Sequence, residues 1–223
     1  NAFTSYDYTG YLFNMPSQHW QEILTIMSDC MRNCTFKEPH LNSEMKAVIQ
    51  ELKMYKDFFV RSLVDDMISM IFHDHPYHHP IIGYKQDLWS VHGDDLRAFY
   101  NKHYVPNNAT LVVVGDVEPQ EVFELAEKKF GAIPADPKYK RKEYYFNRDI
   151  AAKSITLYRD VQVPTVVYTF LVPGIKEKKD AILELLARIL GQGKGSRLYR
   201  KIVDEEHLAY SLSASSEELF DHG

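Results

Sequence analysis

A chain of 223 residues has room for one large domain or two smaller ones, with a core in each. Apolar residues make up 45% and charged residues 26%, the proportions of an ordinary soluble globular protein. A net charge of −5 and a pI near 6.1 supply no basic field for nucleic acid or an anionic membrane.

No run approaches the ~18 apolar residues of a membrane span, and the opening NAFTSYDYTG does not read as a signal peptide. Compartment therefore stays open between cytoplasm and periplasm. The chain begins inside a strand-like pattern and stops at ELFDHG straight after another, so both ends are expected to be interior to a longer protein.

In chain order, YTGYLFNMP reads as a strand ending at Pro16. Residues 17–33 carry Trp20, Ile23, Leu24, Met27 and Met31 at helical spacing. Cys30 and Cys34, four apart on that helix, read as buried thiols rather than halves of a disulfide. A second helix is predicted from about Asn42 or Ser43 to Phe72, with Val48, Leu52, Tyr55, Phe59, Leu63, Met67 and Ile71 as its apolar stripe. That is long for a globular helix, so a kink is expected near Asp57. Asp94 is placed as the cap of a short helix through Tyr104. ATLVVVGD reads as a buried strand, and EPQEVFELAEKKF as a helix with Pro119 in its first turn.

From Gly131 to Arg148 the chain turns polar, with Pro134, Pro137 and KYKRKE, which reads as a linker. Strands SITLYR and TVVYTFLVP, the helix KKDAILELLARIL, a glycine-rich turn GQGKGSRLYRKI and the strand LAYSLSAS follow. An internal echo accompanies this change. Tyr11, Phe13, Met15 and Pro16 precede a helix with Ile23 and Leu24. Tyr168, Phe170, Val172 and Pro173, 157 positions on, precede one with Ile182 and Leu183. Two related domains are the natural reading, divided as 1–133, a linker at 134–150, and 151–223.

Four motifs invite a chemical reading. HDHPYHHP packs His73, His75, His78 and His79 into seven positions. His73 and His75 are too close to share a helical face, and Pro76 and Pro80 break any helix, so the run reads as a structured, partly exposed loop rather than a metal site. In HWQEI, His19 and Glu22 match the first part of an H-x-x-E-H zinc motif, but Ile23 stands where its second histidine belongs. GQGKGSR lacks the spacing of a phosphate loop and follows a helix. SEMKAVIQEL places Glu44 and Glu51 seven apart, two helical turns, so both carboxylates leave nearly the same face. Spacing alone does not separate a site from two solvated glutamates.

NAFTSYDYTGYLF, EMKAVIQEL, HPYHHPIIG, FYNKHYVPNNATLVVVGDVEP and GKGSRLYRKIVDEEHLAYSLSAS, in that order, resemble signatures of the insulinase/pitrilysin family of zinc metallopeptidases, which includes the mitochondrial processing peptidases. The resemblance covers essentially the whole chain. It implies an α+β fold of two homologous domains, each an antiparallel-rich sheet covered by helices, and it makes the histidine turn mostly architectural.

Catalysis in that family uses H-x-x-E-H on a helix plus a glutamate some seventy residues later. Two histidines and the distal glutamate bind one zinc, and the motif's own glutamate is the general base. By position Glu51 resembles the distal zinc ligand, and Glu44 the nearby glutamate that supports the site from outside the ligand set. Asn1, Ala2, Phe3 and Thr4 resemble the edge strand against which a substrate peptide lies. Phe3 then either borders a substrate side-chain pocket or is a core aromatic.

H-x-x-E-H itself is absent, and the resemblance places it before Asn1. The arginine and tyrosine with which some members grip substrate would lie past Gly223. The chain is therefore expected to be an internal piece of a zinc-dependent endopeptidase of peptides or unfolded proteins, inactive alone and without zinc of its own. Its parent could pair as a homodimer or with a partner subunit. The competing expectation is a non-catalytic homologue of the same fold that holds substrate or serves as a structural subunit.

Overall fold

The computed structural model describes all 223 residues. It is an α+β protein, rich in helix, with one two-stranded antiparallel sheet formed by β1 (Ala2–Thr4) and β2 (Thr9–Tyr11). The helices are α1 (Trp20–Arg32), α2 (Glu38–Asp57), α3 (Phe59–Ile71), α4 (Lys85–Ser90), α5 (Gly93–His103), α6 (Pro119–Phe130) and α7 (Asp180–Gly191). A π-helical turn spans Tyr199–Glu205. The chain folds into two compact units. One comprises residues 1–4, 9–66 and 79–143, and the other 5–8, 67–78 and 144–223.

In the first unit α1 packs on α6, and α2 on α4. The inward face of α1 centres on Leu24, 3% exposed, whose burial contributes about 2 kcal/mol. Pro39 sits in the first turn of α2, where its missing N–H costs nothing. That is why α2 starts at Glu38, earlier than Asn42 or Ser43. It ends at Asp57 because Phe58 is extended (φ −85°, ψ 93°), and α3 resumes at Phe59, so the break lies at the kink expected near Asp57.

The cap of α5 is His92 rather than Asp94. Its backbone N–H donates to the Asp95 carboxylate at 2.9 Å. Tyr100 of α5 ties this helix to α1, donating its hydroxyl to the Cys30 carbonyl at 2.7 Å. Cys30 and Cys34 are both exposed, not buried. Cys30 lies off the stripe that runs through Leu24, and Cys34 follows the end of α1.

In the second unit the core is aromatic: Phe72, Tyr77 and Phe146, with Ile68, Ile71, Ile150, Leu171 and Leu219 packed around them. His75 is enclosed here at 1% exposure, its ring 4.2 Å from that of Tyr77 and 5.4 Å from that of His222. Asp7 fastens the cluster. One carboxylate oxygen accepts from the Tyr77 hydroxyl at 2.8 Å and the other from the Phe220 N–H at 2.8 Å. Such bonds to a charged group each contribute roughly 1.5–3 kcal/mol. Gly174 passes so close to Asp221 that a Cβ would come within 2.5 Å of its carbonyl carbon.

Four expected strands do not form. ATLVVVGD, SITLYR, TVVYTFLVP and LAYSLSAS run without ladder partners, apart from a single bridge between Pro173 and His222. The strand expected to run to Pro16 stops at Tyr11. A strand exists only when a neighbour satisfies its backbone donors and acceptors along its length, and these segments have only isolated backbone bonds, such as the pair that Val172 exchanges with Gly223 and the one from Ala214 to the Gly191 carbonyl. Many of their side chains stay in solvent, Val114 at 91% exposed and Phe170 at 79%, although Leu171 packs against the aromatic core. The internal echo therefore survives as the helices α1 and α7, without a second strand.

The histidines of the second unit set its response to pH. Burial lowers the His75 pKa below the ordinary histidine value against the opposing pull of Asp221, and burial followed by the nearby Arg148 lowers that of His222. Both are neutral in the fold at pH 7. The unfolded chain takes up these protons first as pH drops below ~6.5, so stability falls with falling pH. Thermal unfolding followed by far-UV circular dichroism should give a melting temperature that is level above pH 7 and declines from pH 6.5 downward. His75→Gln should lower the plateau and flatten the decline; an unchanged slope in that variant would contradict the assignment.

Candidate functional site

Helix α2 carries both acidic candidates. Leu41 and Leu52 are its buried residues. At 100° per residue, Glu44 and Glu51 stand about 60–100° around the helix from that stripe, both on its same flank. Both are exposed. Glu51 Oε1 accepts a 2.6 Å hydrogen bond from the Tyr55 hydroxyl, one turn on. That bond, more than burial, raises the Tyr55 phenol above the ordinary tyrosine range.

Beyond the break at Phe58, the guanidinium carbon of Arg61 lies 5.5 Å from the centre of the Tyr55 ring. Arg61 Nε lies 3.2 Å from Asp65 Oδ1, close enough for an ion pair though outside hydrogen-bonding geometry. Tyr55 belongs to the apolar stripe in sequence, and its hydroxyl was legible only as a polar group at i+4 from Glu51. The approach of Arg61 depends on the helix break and carries no spacing signal.

The resemblance implies a metal-ligand role for Glu51. It is an exposed carboxylate with one oxygen held by Tyr55, and carboxylate oxygens are among the atoms that zinc accepts as ligands. Nowhere does the chain bring three or more His, Cys, Asp or Glu side chains together as a metal-holding group. The histidine run diverges. His75 is buried among rings, His73 pairs with Asp74 at 2.9 Å, His78 Nδ1 meets the His75 carbonyl at 2.7 Å, and His79 packs edge-on against Tyr84. His19 and Glu22 approach to 3.5 Å on the surface of α1, with Ile23 half-buried beside Leu24. In GQGKGSR, Ser196 is turned inward and its hydroxyl donates to the Gly193 carbonyl at 2.7 Å.

Residues Asn1–Thr4 do form an edge. β1 has β2 on one side only, in the register Ala2 with Tyr11, Phe3 with Gly10 and Thr4 with Thr9. Asn1 and Leu12 exchange both backbone bonds, at 2.9 and 2.8 Å, and Ser5 N–H reaches the Tyr8 carbonyl at 2.9 Å. Antiparallel ladders alternate, so Asn1, Phe3 and Ser5 bond toward β2. Ala2 and Thr4 therefore turn their N–H and C=O to the outer edge. Phe3 is exposed at 40%, and one edge of its ring lies against Gly10, where a Cβ would collide with it. Tyr11 donates or accepts at 2.5 Å with Tyr104, and burial followed by this contact raises its pKa.

Comparison with known proteins identifies the family. Residues 1–85 match the insulinase (peptidase family M16) model, and residues 90–223 match that of the peptidase M16 inactive domain. The chain belongs to peptidase family M16. The zinc protease PqqE of Helicobacter pylori is 30% identical over 225 residues, covering 99% of this chain and 51% of that protein. The uncharacterized zinc protease YmxG of Bacillus subtilis is 27% identical over 226 residues, covering 100% and 54%. The crystal structure of a protease from Helicobacter pylori matches with a TM-score of 0.82 at 27% identity, covering all of this chain and 55% of that one. The chain spans about half the length of the curated relatives it matches. None of its helices is long and apolar enough to cross a membrane.

One carboxylate does not hold zinc tightly when a catalytic site calls on three protein ligands. After exhaustive dialysis, atomic absorption should find well under one zinc per chain. Stoichiometric zinc in the dialysed chain would contradict placing the other ligands outside these residues.

Proposed function

We propose that this chain supplies the distal metal-ligand helix and the substrate edge of a zinc-dependent endopeptidase. The observation that carries the reading is Glu51 itself. It is an exposed carboxylate two turns from Glu44, on a helix inside the segment that matches the insulinase model. In the parent protein Glu51 completes the ligand set with two histidines of an upstream H-x-x-E-H, and Glu44 supports the site from outside that set. Zinc bound there supplies Lewis-acid chemistry, polarising a carbonyl and activating water.

The remaining work belongs to the chain's own residues. Ala2 and Thr4 offer backbone donors and acceptors to an extended peptide, which would add as a strand beside β1. Main-chain pairing of this kind is indifferent to most side chains, which suits an enzyme of peptides or unfolded proteins. Phe3, lying across Gly10, borders the first side-chain position of such a peptide. The Glu51 carboxylate, anchored through one oxygen, presents the other as a ligand.

The division into 1–133, a linker at 134–150, and 151–223 belongs to the same proposal. Its support is that 134–143 has no regular secondary structure and that the chain passes from the first compact unit to the second at Glu143 and Tyr144; Phe146 and Ile150 already pack in the second unit's core, and 5–8 and 67–78 belong to that unit. Limited trypsin digestion should cut first at the exposed Lys138 and Lys140. Early cleavage at Arg159 or Lys153 instead would argue against this boundary.

Substitution in the full-length parent tests the site. Glu51→Gln keeps the shape but removes the anionic ligand, so zinc affinity should fall strongly and peptide hydrolysis by several orders of magnitude. Glu44→Gln should cost about 10–100-fold. Changing His73, His78 and His79 together to Asn should leave zinc and most turnover in place. Loss of zinc from the histidine variant but not from Glu51→Gln would move the metal to HDHPYHHP. A parent that binds no zinc and cleaves nothing would instead be a substrate-holding homologue.

A further inference from the structure

We propose that Tyr55 is a positioning residue for Glu51, and that Arg61 holds Tyr55 in place across the break between α2 and α3. This deepens the reading of Glu51 as a zinc ligand and rests on it.

A glutamate on an exposed helix face samples many rotamers, and a metal ligand must occupy one of them. On α2 the side chains within reach of Glu51 are those three or four residues away: Ala47, Val48, Met54 and Tyr55. Only Tyr55 can donate a hydrogen bond. It does so to Oε1 at 2.6 Å, which fixes the carboxylate plane and leaves Oε2 for the metal. The donor is neutral. A lysine or arginine in its place would offset the ligand's charge and compete with the metal for it.

The tyrosine ring is itself held. In an uninterrupted helix, residues 55 and 61 would lie about 9 Å apart along the axis and about 120° apart around it. The extended Phe58 breaks that geometry and brings the Arg61 guanidinium carbon to 5.5 Å from the ring centre, within the ~6 Å range of a cation–π contact. Asp65 sits 3.2 Å from Arg61 Nε, so the cation is balanced by its own helix and does not engage Glu51. The chain Glu51, Tyr55, Arg61, Asp65 thus runs from the ligand into α3, as the outer supports of metal ligands commonly do.

The test uses the full-length parent with Tyr55→Phe and Glu51→Gln side by side. Zinc affinity is read by competition with a chromogenic chelator. The visible spectrum of the cobalt(II)-substituted protein reports ligand geometry without turnover. Tyr55→Phe deletes one oxygen and keeps the ring under Arg61, so the metal-free melting temperature should not move. Zinc affinity should fall by about 10–100-fold, the cobalt bands should shift, and KM for a peptide should hold while kcat drops. If Glu51→Gln releases zinc but Tyr55→Phe keeps wild-type affinity and an unchanged cobalt spectrum, the positioning role is wrong and Glu51 remains a ligand. If Glu51→Gln retains zinc, the ligand assignment fails and this inference fails with it.

Discussion

Helix α2 has to bury Leu41 and Leu52, eleven residues apart and therefore nearly in line at 100° per residue. That requirement fixes the rotation of the helix, and the rotation decides where every other residue on it points. Glu44 and Glu51 fall together on one flank of the buried stripe, near enough to the body of the unit to be supported and far enough round to stay in solvent. A carboxylate on the opposite side would be fully hydrated and unconstrained; one on the stripe would need a buried partner. Loss of Leu52 would cost about 2–5 kcal/mol, and it would also release the rotation on which the candidate ligand depends.

The break at Phe58 extends that constraint into α3. A single extended residue ends the α2 hydrogen-bond ladder and starts a helix whose Arg61 meets the Tyr55 ring. The first unit thereby links a surface carboxylate to a second helix through one hydroxyl and one cation–π contact. In the second unit Asp7 has a comparable part, because both of its oxygens bind groups distant in sequence, Tyr77 and Phe220. Removing either partner would leave a half-buried carboxylate under-satisfied, so the aromatic core there depends on a short polar bridge as much as on ring packing.

Helices were the most legible part of the sequence because their signal is local. The apolar spacing of Trp20 to Met31, the early Pro119 and the run through AILELLARIL each locate a helix within a few residues, and excess length alone forecast the break near Asp57. Strands were legible as segments but not as pairs. Val112 and Val114 have the composition of a buried strand, yet pairing needs a neighbour that no local pattern can reveal. For Glu44 and Glu51 periodicity gave only a shared helix flank, and the role proposed for them comes from resemblance. HDHPYHHP shows the opposite limit: proline and spacing ruled out convergence of its imidazoles, but nothing local foretold that His75 would be enclosed while His73 stays in water. The contact of Arg61 with Tyr55 exists only through the backbone at Phe58.

The central claim is that Glu51 ligates a metal. Anomalous diffraction at the zinc edge from crystals of the full-length parent tests it without reference to activity. If Glu51 is a ligand, there is one zinc per active site, with a Glu51 oxygen about 2.0–2.2 Å from it and the Tyr55 hydroxyl still on the other oxygen. A zinc position well away from Glu51, at His73, His78 and His79 or elsewhere, would contradict it.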